Sequence, residues 1–477
     1  MDLTTIKEFH TSLTNSPVQM ALMNAISQNT VTEVCKNLAV SKNHNHIFSH
    51  EVSIQPKATN QKSSGRCWLF AALNVIRVLL MKEYNLDKDF ELSQSYLFFW
   101  DKYERVNYFI ETMFSLAMEG ELNPDDRLIW HLLDSPMGDG GQWDMITSLV
   151  EKYGLIPQSV ERESHSSSYS RNMNKLLTNK LREYANFIYA NKDDESFIKS
   201  KDSIKKVMLG NVYEILFKTL GKPVLPDQEF TWTYIDKKGN KHVKKTTPLD
   251  FYKDMVPLDM SKYMCVIHDP RNAYYQLYTV KYLGNVWNTK HPVLYLNLPI
   301  DEMKQLISRT IQEDEPVWFG CDMGKDRNAD LSLMDTNVMD YENAFGTGFH
   351  VMNKKDRLVF RESLMTHAMV ITGFDTDEDC GERPKKRQNV EETCKDTSCK
   401  DKNDKKEIKT FKKFNKWKIE NSWGSKGDTN GYYTMMDNWF DEYVYEVAIK
   451  KDKLSTYELN FDNVTELEYW DPMGALA

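Results

Sequence analysis

The sequence predicts an α+β fold, a helical part carrying a candidate nucleophile followed by a β-rich part carrying its candidate partners. Three stretches predict it. Gln61-Lys62-Ser63-Ser64-Gly65-Arg66-Cys67-Trp68 runs into Leu69, Ala72, Leu73, Ile76, Leu79 and Leu80. That spacing is the apolar stripe of an amphipathic helix, with Cys67 at its start. Residues 363–373 form a nearly continuous apolar run containing His367, which reads as a buried strand. Residues 414–421 alternate, with Trp417, Ile419 and Asn421 on one face and Lys416, Lys418 and Glu420 on the other, which reads as a half-solvated strand.

Length and charge narrow the class. The chain has 477 residues and a net charge of −9, enough for two or three domains and without an overall basic field for nucleic acid. The first twenty residues are polar and mixed, with no apolar core of a secretory signal. No apolar run reaches the length of a membrane span. Seven scattered cysteines read as thiols of a reducing compartment rather than a disulfide framework. The expectation is a cytoplasmic protein with no membrane partner.

In chain order, Val18, Ala21, Leu22, Ala25 and Ile26 predict a short helix. His44, His46 and His50 follow in polar surroundings and read as a solvated loop, not a metal site. Ser93 caps an aromatic-rich helix, and Gly138-Asp139-Gly140-Gly141 makes a tight turn ahead of another. Met173, Leu177, Leu181, Tyr184 and Ile188 form one helical stripe. Ile204, Met208, Val212, Ile215 and Leu216 form a second, stopped at Gly221 and Pro223. Phe230, Trp232 and Tyr234 alternate into a turn at 236–240, a β-hairpin. From Val293 onward the pattern is strands. Residues 376–410 interrupt them with ten acidic and ten basic side chains, too polar to bury a core, and read as a mobile charged loop.

The chemistry rests on three side chains and one amide. A thiol at a helix start faces the positive end of the helix dipole, which favours the thiolate. An imidazole can take and return its proton, and a carboxamide can orient that ring. Cys67, His367 and Asn421 supply these in order, with a resting thiolate–imidazolium pair expected. Gln61, six residues before Cys67, reaches back to offer its NH2 beside the Cys67 N–H to a developing oxyanion.

At these residues the chain resembles the papain-like cysteine proteases: Gln-x5-Cys-Trp, a strand-borne His, and Asn421-Ser422-Trp423-Gly424. More narrowly it resembles the bleomycin hydrolase and aminopeptidase C branch, through the stretches at 93–100, 139–144, 318–322 and 362–369 and the terminal Trp470-Asp471-Pro472-Met473-Gly474-Ala475-Leu476-Ala477. Ser64 stands where secreted relatives carry a disulfide-forming Cys. His367 lies 300 residues after Cys67 (367 − 67), against roughly 130–150 in the secreted type. The resemblance implies a papain-like two-lobe core. Its parts would be an N-terminal segment (1–60), a helical catalytic lobe (61–154), a helical insertion making oligomer contacts (155–292), a β-rich lobe (293–450) and a C-terminal arm entering the active site (451–477).

The activity implied is that of a broad-specificity cysteine aminopeptidase, able to hydrolyse the bleomycin amide and acting on peptides with a free N-terminus. Gly140 and Gly141 would bind the substrate backbone, Trp423 would shield the His367–Asn421 bond, and the Ala477 carboxylate would hold the substrate amine. The assembly would be a homohexamer, with no cofactor and no metal. The alternative is a nucleic-acid-binding or peptide-sequestering hexameric assembly using the Lys-rich face of the insertion, with weak nucleic-acid binding.

Overall fold

A computed structural model describes residues 2–377, 408–425 and 429–475. Its centre is a large sheet against which the Cys67–Tyr84 helix packs. The strands are β1 (His50–Glu51), β4 (Tyr263–Ile267), β5 (Leu277–Val280), β6 (Tyr295–Asn297), β7 (Val317–Cys321), β8 (Arg327–Asn328), β9 (Leu333–Met334), β10 (His367–Asp375), β11 (Lys416–Glu420), β12 (Tyr432–Met436), β13 (Val444–Lys450) and β14 (Val464–Leu467). They run in the order β14-β5-β6-β4-β13-β7-β10-β11-β12-β9-β8, with β1 also on β10. The hairpin β2 (Phe230–Ile235) and β3 (Lys241–Thr246) stands apart as its own sheet.

Strand alternation separates two cores. Trp318 of β7 and Ala368 and Val370 of β10 face the helical side. Val317, Phe319, Met369 and Ile371 face the other side, where the Ile300–Gln312 helix packs. His367 opens β10 rather than lying within it, opposite Cys321 of β7. β10 also pairs antiparallel with β11, so the strand that starts at His367 lies beside the one that leads into Asn421.

Several expectations hold. Ser93 Oγ accepts from the Tyr96 N–H at 3.1 Å and caps the Gln94–Met118 helix, whose aromatics are core. The stripe from Met173 to Ile188 is buried on the Arg171–Asn191 helix. The Lys201–Leu220 helix ends at Gly221, whose φ of +101° suits glycine.

Four readings are corrected. The N-terminal region carries two long helices, Leu3–Thr14 and Pro17–Gln28, where one short helix was expected. After β1, the strands of the main sheet resume at Tyr263, before Val293, because β4 is a short fully buried apolar run that periodicity alone cannot assign. The Cys67–Tyr84 helix is buried on nearly all sides, not along one stripe, because Asn74 and Arg77 find polar partners within the core. On β11, Lys416 and Glu420 are buried, with Lys416 donating to the Asn45 carbonyl at 3.1 Å, so that face is not solvated.

His46 Nδ1 lies 2.6 Å from Thr434 Oγ1, and His50 stacks on Phe374. Among the described residues no cluster of His, Cys, Asp and Glu suits a metal ion. No helix there is long and apolar enough to cross a membrane. Most of the charged 376–410 stretch lies outside the described residues, as does Ala477.

Candidate active site

Cys67 opens its helix immediately after Gly65 and Arg66, and its side chain is 2% exposed. The sulfur lies against the backbone N–H of Ala368, the residue after His367, and near the N–H groups of Trp68 and Cys67 itself. His367 Nε2–H donates to Asn421 Oδ1 at 2.9 Å. Asn421 Oδ1 also accepts the Ser422 N–H at 2.8 Å, which fixes which way the amide points. That bond commits the Nε2 proton and leaves Nδ1 as the basic ring nitrogen. Trp423 covers the pair, its ring centroid 5.0 Å from that of His367.

Gln61 ties the two sides together. Its backbone N–H donates to the Ser422 carbonyl at 2.9 Å, and its Oε1 accepts from Ser422 Oγ at 2.5 Å. Its Nε2 donates to the Ser64 carbonyl at 2.6 Å, which uses one of two amide hydrogens. Thr59 extends this seam by accepting the Gly424 N–H at 2.7 Å. Ser64 makes no disulfide: its hydroxyl donates to the Gln61 carbonyl at 2.7 Å and accepts from Arg66 Nε at 2.9 Å.

Burial dominates the electrostatics of both groups. Burial pushes the Cys67 thiol up to about 11, against the pull of the surrounding N–H groups. Burial likewise takes the His367 ring down to about 4, opposed by its bond to Asn421 and reinforced by the nearby Arg327 charge. Burial thus acts against charge on each group taken singly, and a resting thiolate–imidazolium pair has to be held by the attraction between the two charges. The helix terminus attracts charge, but loss of water outweighs it.

Gly141 lies directly over Trp68, the residue after Cys67. A Cβ on Gly141 would meet the Trp68 ring at 2.6 Å, so only glycine lets this strip pass so close. Arg105 donates to the Gly140 carbonyl, and its guanidinium sits 5.6 Å from the Trp68 ring centroid. The C-terminal arm reaches the same place. β14 pairs in parallel with β5, Asp471 meets Arg271 at 2.7 Å, and Tyr295 donates to the Met473 carbonyl at 3.1 Å. Gln142 Nε2 then donates to the Ala475 carbonyl at 2.7 Å, one residue beyond Gly141.

Sequence reasoning missed the charged groups beneath the site. Arg66 is buried between the Phe70 and Phe98 rings, with Glu163 at 2.8 Å. Arg77, on the Cys67 helix, pairs with Glu420, the residue before Asn421. Asp139 pairs with Lys102 at 2.7 Å. Arg66, Glu420 and Asp139 lie in stretches the motifs marked, but the partner of each is remote in sequence and no local pattern announces the pairing.

The fold and this grouping define a thiol peptidase, and the chain belongs to the Peptidase C1-like family, whose profile matches residues 1–401 and 404–474. Its relatives carry two names. Bleomycin hydrolase of Mus musculus is 39% identical over 98% of this chain and 96% of its own length. Aminopeptidase C of Lactobacillus delbrueckii subsp. lactis is 36% identical over 99% and 98%. The solved structure of PepW from Lactobacillus rhamnosis HN001 superposes with a TM-score of 0.86 at 37% identity, covering 100% of this chain and 99% of that one. Nothing in these likenesses supports the nucleic-acid alternative. Several lysines of the insertion are already paired: Lys201 and Lys205 with Glu111, Lys199 with Glu195 and Lys218 with Glu214.

Proposed function

We propose that this chain is a cysteine aminopeptidase of broad specificity that releases residues from the free N-termini of peptides through an acyl-enzyme on Cys67. The observation that carries the reading is the 2.9 Å bond from His367 to Asn421, with the Cys67 sulfur against the next backbone N–H. In this mechanism His367 Nδ1 takes the thiol proton as sulfur attacks the carbonyl. The ring then protonates the leaving amine, and water attacks the thioester by the reverse route. Asn421 keeps the ring in the productive tautomer, and Trp423 keeps water from that bond. The second Gln61 amide hydrogen and the Cys67 N–H receive the oxyanion. Gly140 and Gly141 hold the substrate backbone.

The arm makes the cleft an exopeptidase site. Two residues follow Ala475, a reach of about 7 Å when extended. In our reading the Ala477 carboxylate ends in the cleft, closes the side that would hold residues before the scissile bond, and pairs with the substrate's free amine. Hydrolysis of the bleomycin amide follows by likeness to the relatives named for it. Our reading also includes a cytoplasmic site and a homohexamer in which the helical insertion makes contacts.

Cys67→Ala tests the chemistry: peptide turnover should vanish while the protein keeps its fold and size, and retained turnover would refute it. Deleting Ala477, or extending the chain past it, should change the product ladder of a defined peptide. An unchanged ladder would remove the arm from the mechanism.

A further inference from the structure

The Asp139 carboxylate gathers donors from three separate parts of the chain. Its side chain is 7% exposed. Oδ2 accepts the Gly65 N–H at 3.1 Å, two residues before Cys67, and also the Ser170 hydroxyl. Oδ1 accepts Asn174 Nδ2 at 2.6 Å and meets Lys102 Nζ at 2.7 Å. The Asp139 backbone carbonyl accepts the Trp68 indole N–H at 2.6 Å, one residue after Cys67. This one residue therefore grips the nucleophile's turn from both sides.

The same residue leads directly into Gly140 and Gly141. Lys102 Nζ also donates to the Met137 carbonyl at 3.0 Å and the Gly138 carbonyl at 2.9 Å, so the whole approach to the glycines is pinned. The remaining donors, Ser170 and Asn174, stand at the start of the Arg171–Asn191 helix, inside the helical insertion. Burial would raise the Asp139 carboxyl, but Lys102 and the hydrogen bonds hold it well below the usual carboxylate range, so the group stays charged.

We propose that Asp139, clamped by Lys102, is the positioning residue that sets the Cys67 turn against the Gly140–Gly141 strip, and that Ser170 and Asn174 make the helical insertion part of that clamp. Asp139 touches no reacting atom. It holds the sulfur and the substrate backbone in one frame, where a displacement of about 1 Å costs on the order of 100-fold in rate. The insertion then serves alignment of the cleft as well as contacts between subunits. This inference rests on Cys67 being the nucleophile.

The test separates alignment from folding. Ser170→Ala combined with Asn174→Ala leaves the Lys102–Asp139 charges in place and loosens the carboxylate. That variant should lose about 5-fold in kcat with KM within about twofold, while small-molecule alkylation of Cys67 by iodoacetamide, which needs no strip, keeps its rate and pH midpoint. Asp139→Asn should lose about 30-fold or more in kcat. If it fails to fold by circular dichroism, the double alanine variant decides. A kcat within about 1.5-fold of wild type in the folded double variant overturns the proposal, as does a loss of kcat matched by an equal loss of alkylation. Should iodoacetamide inactivate wild type without modifying Cys67, the nucleophile assignment fails instead.

Discussion

Glu420→Gln removes one charge from a buried ion pair and little volume. Arg77 and Glu420 are each about 1% exposed, and the pair joins the Cys67–Tyr84 helix to β11, one residue short of Asn421. Arg77 keeps the Lys57 carbonyl at 2.9 Å as a partner for the same Nη2, but among the described residues no other carboxylate bonds it. A charge left behind in this way costs about 3–5 kcal/mol. Unfolding entropy of about 2.1 cal/mol/K per residue, summed over 477 residues, gives about 1 kcal/mol/K. The melting midpoint at pH 7 should therefore fall by about 3–5 °C. Because Glu420 precedes Asn421, kcat should fall in the folded variant with KM nearly constant. Differential scanning calorimetry and initial rates on an aminoacyl-coumarin measure both. Arg77→Met combined with Glu420→Leu, which removes both charges, should recover most of the midpoint. A Glu420→Gln midpoint within about 1 °C of wild type would refute the reasoning.

The pH profile follows from the buried pair. In the proposed mechanism activity needs one proton shared between Cys67 and His367, so it should be lost when the ring gains a second proton below about 4 and when the thiol loses the last one near about 11. kcat/KM should give a broad plateau between those limbs, and a single alkaline limb at an ordinary thiol pKa would contradict the burial. The depressed His367 ring also means that the folded state binds fewer protons than the unfolded chain. This contribution to stability is complete above the ordinary histidine range and is lost as pH falls toward about 4, which acid melts will show. Gly141→Ala places a methyl 2.6 Å from a Trp68 ring that is fully buried and held by its indole N–H. It should cost about 1–3 kcal/mol and raise KM, as melting and steady-state rates will report.

The candidate nucleophile, its ring and the carboxamide are legible because each sits at an element boundary marked by a local pattern. A turn of small residues precedes Cys67, an apolar run follows His367, and an alternating strand ends at Asn421. What the sequence could not reveal are the contacts that hold those boundaries together. Glu420 alternates with Ile419 and so reads as solvent-facing, yet Arg77, 343 residues away, draws it inside. Lys102 sits among aromatic residues, and the chain's return at Asp139 gives it an ion-pair partner. Periodicity reports the water-facing side of an element. It carries no information about a charged partner that arrives from another part of the chain. The strands at Tyr263–Ile267 and Leu277–Val280 were hidden for a related reason, since short segments buried on both faces lack alternation.

The parallel pairing of Val464–Leu467 with Leu277–Val280 has a practical corollary. The last residues leave a strand of the main sheet and travel a few steps to the amide of Gln142. An affinity handle fused at the carboxyl end would therefore start two residues beyond Ala475, a residue held by Gln142 beside Gly141. Purification tags belong at the opposite terminus, where the first helix has no buried residue to disturb.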